Sequence, residues 1–186
     1  HDLVGGTTER VSIADDESQA TGASATALPA VSNNGRYVLF ISSATNLVTG
    51  DNNAAADVFL RDRTAGTTTL MSKSTAGVIG NATTSYATMD DSASYIFFVS
   101  TSTNLVDGDT NGQADLFVHE RATGRTERLS TAADGTEGNG PVLHVPATTV
   151  DGSLVAFVSR ASNLVTGDTN GSADVFLVNN SLFGAP

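Results

Sequence analysis

Asn163-Leu164-Val165-Thr166-Gly167-Asp168-Thr169-Asn170-Gly171-Ser172-Ala173-Asp174-Val175-Phe176 repeats, with small changes, two earlier phrases of the same chain, Asn104–Phe117 and Asn46–Phe59. The three phrases start 58 and then 59 residues apart. A period this regular marks one structural unit stacked three times, and it decides the architecture of the 186-residue chain before any single residue is weighed.

Around the phrase, each copy holds four short β-type runs divided by turn residues. In the middle copy the first run lies near Ser85–Met89. The turn Asp90-Asp91-Ser92 then leads to Tyr95–Val99, apolar throughout, as in a strand buried on both faces. After the phrase come Asp115–Glu120, a turn at Ala122-Thr123-Gly124, and the more polar, outward run Thr126–Ser130. Tyr37–Ile41 and Leu154–Val158 match the second run; Asp57–Leu60 and Asp174–Leu177 match the third. Phe40, Phe98 and Phe157 share one repeat position, and Phe59, Phe117 and Phe176 another. Such recurrence marks core layers between packed sheets rather than a binding stripe. No run calls for a helix. Four antiparallel strands per copy, apolar in the middle and polar outside, describe one blade of an all-β propeller.

The order of elements (a Gly-containing turn, an apolar strand ending in Phe-x-Ser, then NLV-x-GDTNG-x-x-DVF) resembles the TolB-like β-propeller repeats of bacterial envelope and secreted proteins, over nearly the whole chain. The resemblance implies a propeller, commonly six-bladed, used as a protein-binding scaffold or accessory domain and located in the periplasm or secreted. It brings no catalytic residue set.

The phase of the repeat carries its own message. Gly6–Ser12 matches the fourth run, Gly66–Ser72, whereas the last copy closes on a third run, Asp174–Leu177. The expected organisation is a strand in residues 1–14 that completes a last blade, then blade 1 in 15–73, blade 2 in 74–131, and blade 3 in 132–186 lacking its outer strand. Closed propellers use about four to eight blades. Three blades therefore predict a homodimer, two chains forming one six-bladed ring in which each N-terminal strand finishes the partner's last blade and hides its open edge. Half of a longer polypeptide is the alternative. A leader removed by processing or a trimmed chain would each account for a start at His1 rather than Met.

Composition narrows the partners. The 20 acidic residues against 9 basic ones give a formal charge of −11. Phosphate binding relies on clustered Lys and Arg, so neither nucleic acid nor an anionic membrane surface is expected. Hydrophobic residues make up 39% of the chain, enough for a core, and no apolar run approaches the roughly 20 residues of a membrane span. There is no cysteine, hence no disulfide framework, thiolate zinc site or Cys nucleophile.

The strongest chemical constellation is Asp107-Gly108-Asp109-Thr110-Asn111-Gly112-Gln113-Ala114-Asp115, with oxygen side chains at Asp107, Asp109, Asn111 and Asp115 around a Gly turn. Calcium takes six to eight oxygens, and a Gly-bent loop can wrap side-chain and backbone oxygens around one ion. The loop resembles those of dockerins and integrin-type repeats, which carry a further acid or glycine. The third copy keeps a weaker set, Asp168, Asn170 and Asp174, with Thr166 at the first position; the first copy has Thr49 there and Ala54 for the glycine. The competing reading is structural: Asp and Asn in such loops bond neighbouring amides as Asx-turns.

His144, at the repeat position of Ala27 and Ser85, is predicted on the first strand of the third blade, where it and Tyr86 are candidate ligand-binding residues of a central channel. His119, aligned with Asp62 on a third strand, is expected at a surface or blade edge. Asp90-Asp91 and Asp15-Asp16 are expected as solvated turn acids rather than a glycosidase pair. No G-x-S-x-G or HExxH sequence is present. With no Trp, and Tyr37 and Tyr95 at packed positions, the composition disfavours sugar stacking. The expected function is thus a non-enzymatic scaffold for a protein or other macromolecule. A calcium-dependent, lectin-like carbohydrate-binding module is the first alternative, and a hydrolase with an unrecognised site the second.

Overall fold

The computed structural model describes residues 6–24 and 29–184, and among them there are strands but no helix. Ala27 and His1 lie outside the described residues. Blade 1 is a four-stranded antiparallel sheet of β1 (Ala30–Val31), β2 (Tyr37–Ser42), β3 (Asp57–Asp62) and β4 (Thr67–Leu70), in that spatial order. Blade 2 repeats it with β5 (Thr84–Met89), β6 (Tyr95–Ser100), β7 (Asp115–Glu120) and β8 (Thr126–Arg128). Blade 3 has β9 (Ala147–Thr148), β10 (Leu154–Ser159) and β11 (Asp174–Asn179), ordered β11-β10-β9.

Register repeats as faithfully as sequence. Phe40 pairs with Phe59, Phe98 with Phe117 and Phe157 with Phe176, and the ring centroids lie 5.8, 5.6 and 5.6 Å apart. The tight hairpins β3–β4 and β7–β8 close on Gly66 and Gly124, at φ of 70° and 75°, whose amides donate to Asp62 and Glu120. A side chain with a Cβ is strained in that left-handed conformation, which is why glycine recurs there.

Two apolar layers hold the blades face to face. Leu39, Ile41, Val58 and Leu60 of blade 1 pack with Ile96 and Phe98 of blade 2. Phe97, Val99, Leu116 and Val118 of blade 2 pack with Val155 and Phe157 of blade 3. Each fully buried side chain of this size contributes about 2 kcal/mol of transfer free energy. The alternation that buries Val58 and Leu60, or Leu116 and Val118, would bury Val175 and Leu177 of β11. Instead these are 75% and 68% exposed. Among the described residues, no strand pairs with the outer edge of β11.

The first strand of blade 3 is shorter than its sequence predicts. His144 lies not in a strand but in a bend, between an isolated bridge from Val142 to Ser159 and the two-residue β9. Pro141 and Pro146 flank the segment, and proline has no amide to give to a ladder. Gly6–Ser12, predicted as a fourth strand, forms no ladder with any other described residue and is mostly exposed.

Candidate functional site

The repeated phrase folds into a loop that leads to the third strand of each blade, and its first asparagine is a latch. Asn46 Oδ1 accepts the Thr21 amide at 2.9 Å, while its Nδ2 donates to the Gln19 carbonyl at 2.8 Å. Asn104 bonds Asn81 and Ile79 in the same way, both at 2.9 Å, and Asn163 bonds Asn139 and Glu137 at 2.9 and 2.8 Å. An asparagine amide supplies a donor and an acceptor on one planar group, which aspartate cannot. Sequence reading passed over this residue, although its presence in all three copies was the available signal.

The second asparagine and the aspartate that follows it form a second fixed unit. Asn53 Nδ2 donates to Asp57 at 2.7 Å, Asn111 Nδ2 to Asp115 at 2.9 Å, and Asn170 Nδ2 to Asp174 at 3.1 Å. Each asparagine Oδ1 accepts the amide two residues on, at Ala55, Gln113 and Ser172. In blades 1 and 2 the other carboxylate oxygen accepts a hydroxyl of the fourth-strand segment, Ser72 at 2.6 Å and Ser130 at 2.5 Å. Burial pushes Asp57 up to about 6, against the hydrogen bonds from Ser72 and Asn53, and raises Asp115 in the same way.

This geometry bears on the calcium candidates. Asn111 turns its amide nitrogen, a donor, toward Asp115, and both Asp115 oxygens already accept hydrogen bonds. Asp107 is exposed; Asp109 is buried, and burial and then the neighbouring Asp115 raise its pKa. The cation among these carboxylates is the guanidinium of Arg128. Its Nη1 lies 2.9 Å from Glu137, 3.5 Å from Asp109 and 3.9 Å from Asp115. Among the described residues, no group of three or more histidine, aspartate or glutamate side chains is arranged to hold a metal ion. In the third copy Asp168 and Asp174 are half-buried and Asn170 is exposed.

The two channel candidates do meet. The rings of Tyr86 and His144 lie 6.5 Å apart and tilted by 59°, with Tyr86 half-buried and His144 exposed. Two other expectations need correcting. His119 is not at an edge: it is 1% exposed, and the strand registers align it with Arg61 rather than Asp62. Its Nδ1 lies 2.8 Å from Thr126 Oγ1, which gives its own proton to the Lys73 carbonyl at 2.6 Å. Nδ1 therefore carries the proton, and burial pulls the imidazole pKa down to about 4. Asp90 is not solvated either. It is buried and accepts the amides of Ser92 and Tyr95, closing the turn before β6. Tyr37 and Tyr95 are packed as expected, Tyr37 beneath the guanidinium groups of Arg36 and Arg121 and Tyr95 against Phe183.

No family model matches the chain, and no curated protein matches it. Among solved structures it is similar to Pyrococcus horikoshii acylaminoacyl peptidase (11% identity over 74% of this chain and 17% of that one, TM-score 0.44). It is also similar to oligogalacturonate lyase from Vibrio parahaemolyticus (11% identity, 85% of this chain and 36% of that one, TM-score 0.45). A third is a protein described as TolB from Agrobacterium tumefaciens (15% identity, 80% of this chain and 65% of that one, TM-score 0.33). The chain spans less than two thirds of the length of each of these structures.

Proposed function

We propose that this chain is a non-enzymatic propeller scaffold, two copies of which close one six-bladed ring that binds a macromolecule at its inner rim. The observation that carries the reading is the bare forward face of blade 3, where Val175 and Leu177 stand in water although their equivalents in both other blades are buried. An exposed apolar face that repeats a buried interface has a neighbouring blade as its natural cover. Tyr86 and His144, side by side on the inner strands' side of blades 2 and 3, form the rim contact for the ligand. In a two-fold ring this pair occurs twice. From the resemblance of its repeat to TolB-like repeats, the scaffold works in the periplasm or outside the cell.

Light scattering at micromolar concentration tests the assembly: a mass of twice 19.0 kDa is expected, and a monomer overturns the ring. A glycan array probed with and without calcium tests the ligand class. Calcium-dependent binding would replace the scaffold reading with the lectin-like one.

A further inference from the structure

We infer that Thr8–Ser12 of a second copy pairs with β11 as the fourth strand of blade 3, and that its Arg10 and Ser12 complete the carboxylate loop of Asp168, Asn170 and Asp174. The inference rests on the two-copy reading above and names the contacts that make it.

The sequence of the segment is that of a fourth strand already seen in place. Thr8-Glu9-Arg10-Val11-Ser12 repeats Thr126-Glu127-Arg128-Leu129-Ser130 with one conservative change, and β8 with its extension holds those five residues against β7. In blade 2, Ser130 Oγ donates to Asp115 and accepts the Leu116 amide at 3.1 Å, while the Leu129 amide donates to the Leu116 carbonyl at 2.8 Å. In blade 1, Ser72, Asp57, Val58 and Met71 make the same set. Blade 3 has the receiving half of that set in Asp174 and Val175, and no described residue of the chain supplies the giving half. Accordingly Asp174 is half-buried, where Asp57 and Asp115 are fully buried.

The segment is also held where a fourth strand belongs. Glu9 forms an ion pair with Arg63 of blade 1. Its repeat equivalent in β4, Thr69, and the equivalent of Arg63, Arg121, line one small cavity between blades 1 and 2. Arg63 donates to the Gly35 carbonyl just as Arg121 donates to Ala93, so the two arginines are anchored alike. Gly6–Ser12 thus stands beside blade 1 as β4 stands beside blade 2, and among the described residues no third strand pairs with it. The chain after Ser12 runs into a bridged loop, Ile13 to Gln19, as the chain after Ser72 runs into Lys73 to Ile79 and then blade 2. Seating the segment on β11 therefore brings the second copy's blade 1 over Val175 and Leu177.

Carrying the register of β3–β4 onto the new pair sets Arg10 opposite Phe176 and Glu9 opposite Leu177. Arg10 then reaches Asp168 and Asp174 as Arg128 reaches Asp109 and Asp115. Blade 3's loop is, on this inference, a receptor for an arginine and a serine of the partner copy. Main-chain pairing gives the strand its affinity and the carboxylates fix its register.

The chain has no cysteine, so paired cysteines report the contact cleanly. Glu9→Cys and Leu177→Cys chains, prepared separately, mixed and mildly oxidised, are expected to give a mixed disulfide that peptide mass spectrometry places between positions 9 and 177. Arg10→Glu is expected to weaken dimerisation at least tenfold, and Asp168→Arg combined with it to restore most of the loss. The segment lies outside the core, so Arg10→Glu leaves folding intact by circular dichroism. A dimer without the mixed disulfide and indifferent to Arg10→Glu overturns the strand exchange while the two-copy ring stands. A native assembly of more than two chains that still gives the mixed disulfide supports the strand exchange and overturns closure at two copies. A monomer with no mixed disulfide overturns both.

Discussion

Asn104 and Ile79 are joined across 25 residues of chain by a hydrogen bond of 2.9 Å from the asparagine Nδ2 to the isoleucine carbonyl. The same bond fastens Asn46 to Gln19 and Asn163 to Glu137. The asparagine that opens the repeated phrase is therefore a clamp on the connection between blades. Its replacement removes a donor and an acceptor at once. Asn104→Ala is expected to cost about 1–3 kcal/mol. Asn104→Asp, which keeps the acceptor for the Asn81 amide and loses the donor, falls between it and the parent in chemical denaturation.

His119 gives stability an acid limb. Its pKa is about 4 in the folded chain against 6.5 for an ordinary histidine, because burial disfavours the charged ring. Between those values the unfolded chain takes up a proton that the folded chain refuses, so stability falls as pH falls through the window. A shift of this size is worth on the order of 3 kcal/mol. His119→Asn is expected to remove that part of the loss between pH 7 and pH 4.5, as measured by urea denaturation at each pH.

Asp57 works in the opposite sense. Burial raises its carboxyl to about 6 from 3.8, so between those values the folded chain holds a proton that the unfolded chain has released. Its ionisation therefore costs stability as pH rises toward 6, and protonation returns that stability as pH falls. In Asp57→Asn this contribution is absent. The parent-minus-variant stability difference should grow more favourable to the parent from pH 6.5 to pH 4. Carbon-detected NMR of the Asp57 carboxyl should show a midpoint near 6; an ordinary value near 3.8 contradicts the buried-carboxylate account.

The second and third strands were legible because their side chains repeat in the same order as the blades: Phe40, Phe98 and Phe157 announce three equivalent strands before any fold is known. His119 was misplaced by one residue of alignment, Asp62 for Arg61, and in a strand one residue is the difference between the two faces. The break at His144 was written in Pro141 and Pro146, whose missing amides outweigh the repeat. The middle loop was ambiguous for a deeper reason. An Asx-turn and an ion site ask for the same oxygens around the same glycine. Here the element that separates them, Arg128, comes from a strand beyond the loop.

That arginine predicts a response to calcium. With Asp115 filled by Ser130 and Asn111, and Arg128 among Asp109, Asp115 and Glu137, millimolar calcium or a chelator is expected to leave the melting temperature of the chain unchanged. A rise with calcium that is lost in Asp109→Asn would show that the ion displaces the guanidinium.

Arg128 itself can be judged against blade 1, which builds the same loop without it. There Leu70 stands at the arginine position and Ile79 at that of Glu137, and Ile79 packs into the cluster of Phe40, Phe59 and Leu70. Arg128→Leu strips from Asp109 and Asp115, both buried, the only cation paired with them among the described residues, and leaves Glu137 facing them, at a cost of about 3 kcal/mol, the scale of breaking a buried charge pair. Adding Glu137→Ile removes the third carboxylate and recreates the leucine–isoleucine contact of blade 1. The double variant is therefore expected to melt above Arg128→Leu alone, while Glu137→Ile by itself melts below the parent because it takes a partner from an arginine side chain that is only 9% exposed. Additive effects in the four-member cycle would mean that the charge cluster of blade 2 and the apolar cluster of blade 1 are not alternative solutions of one site.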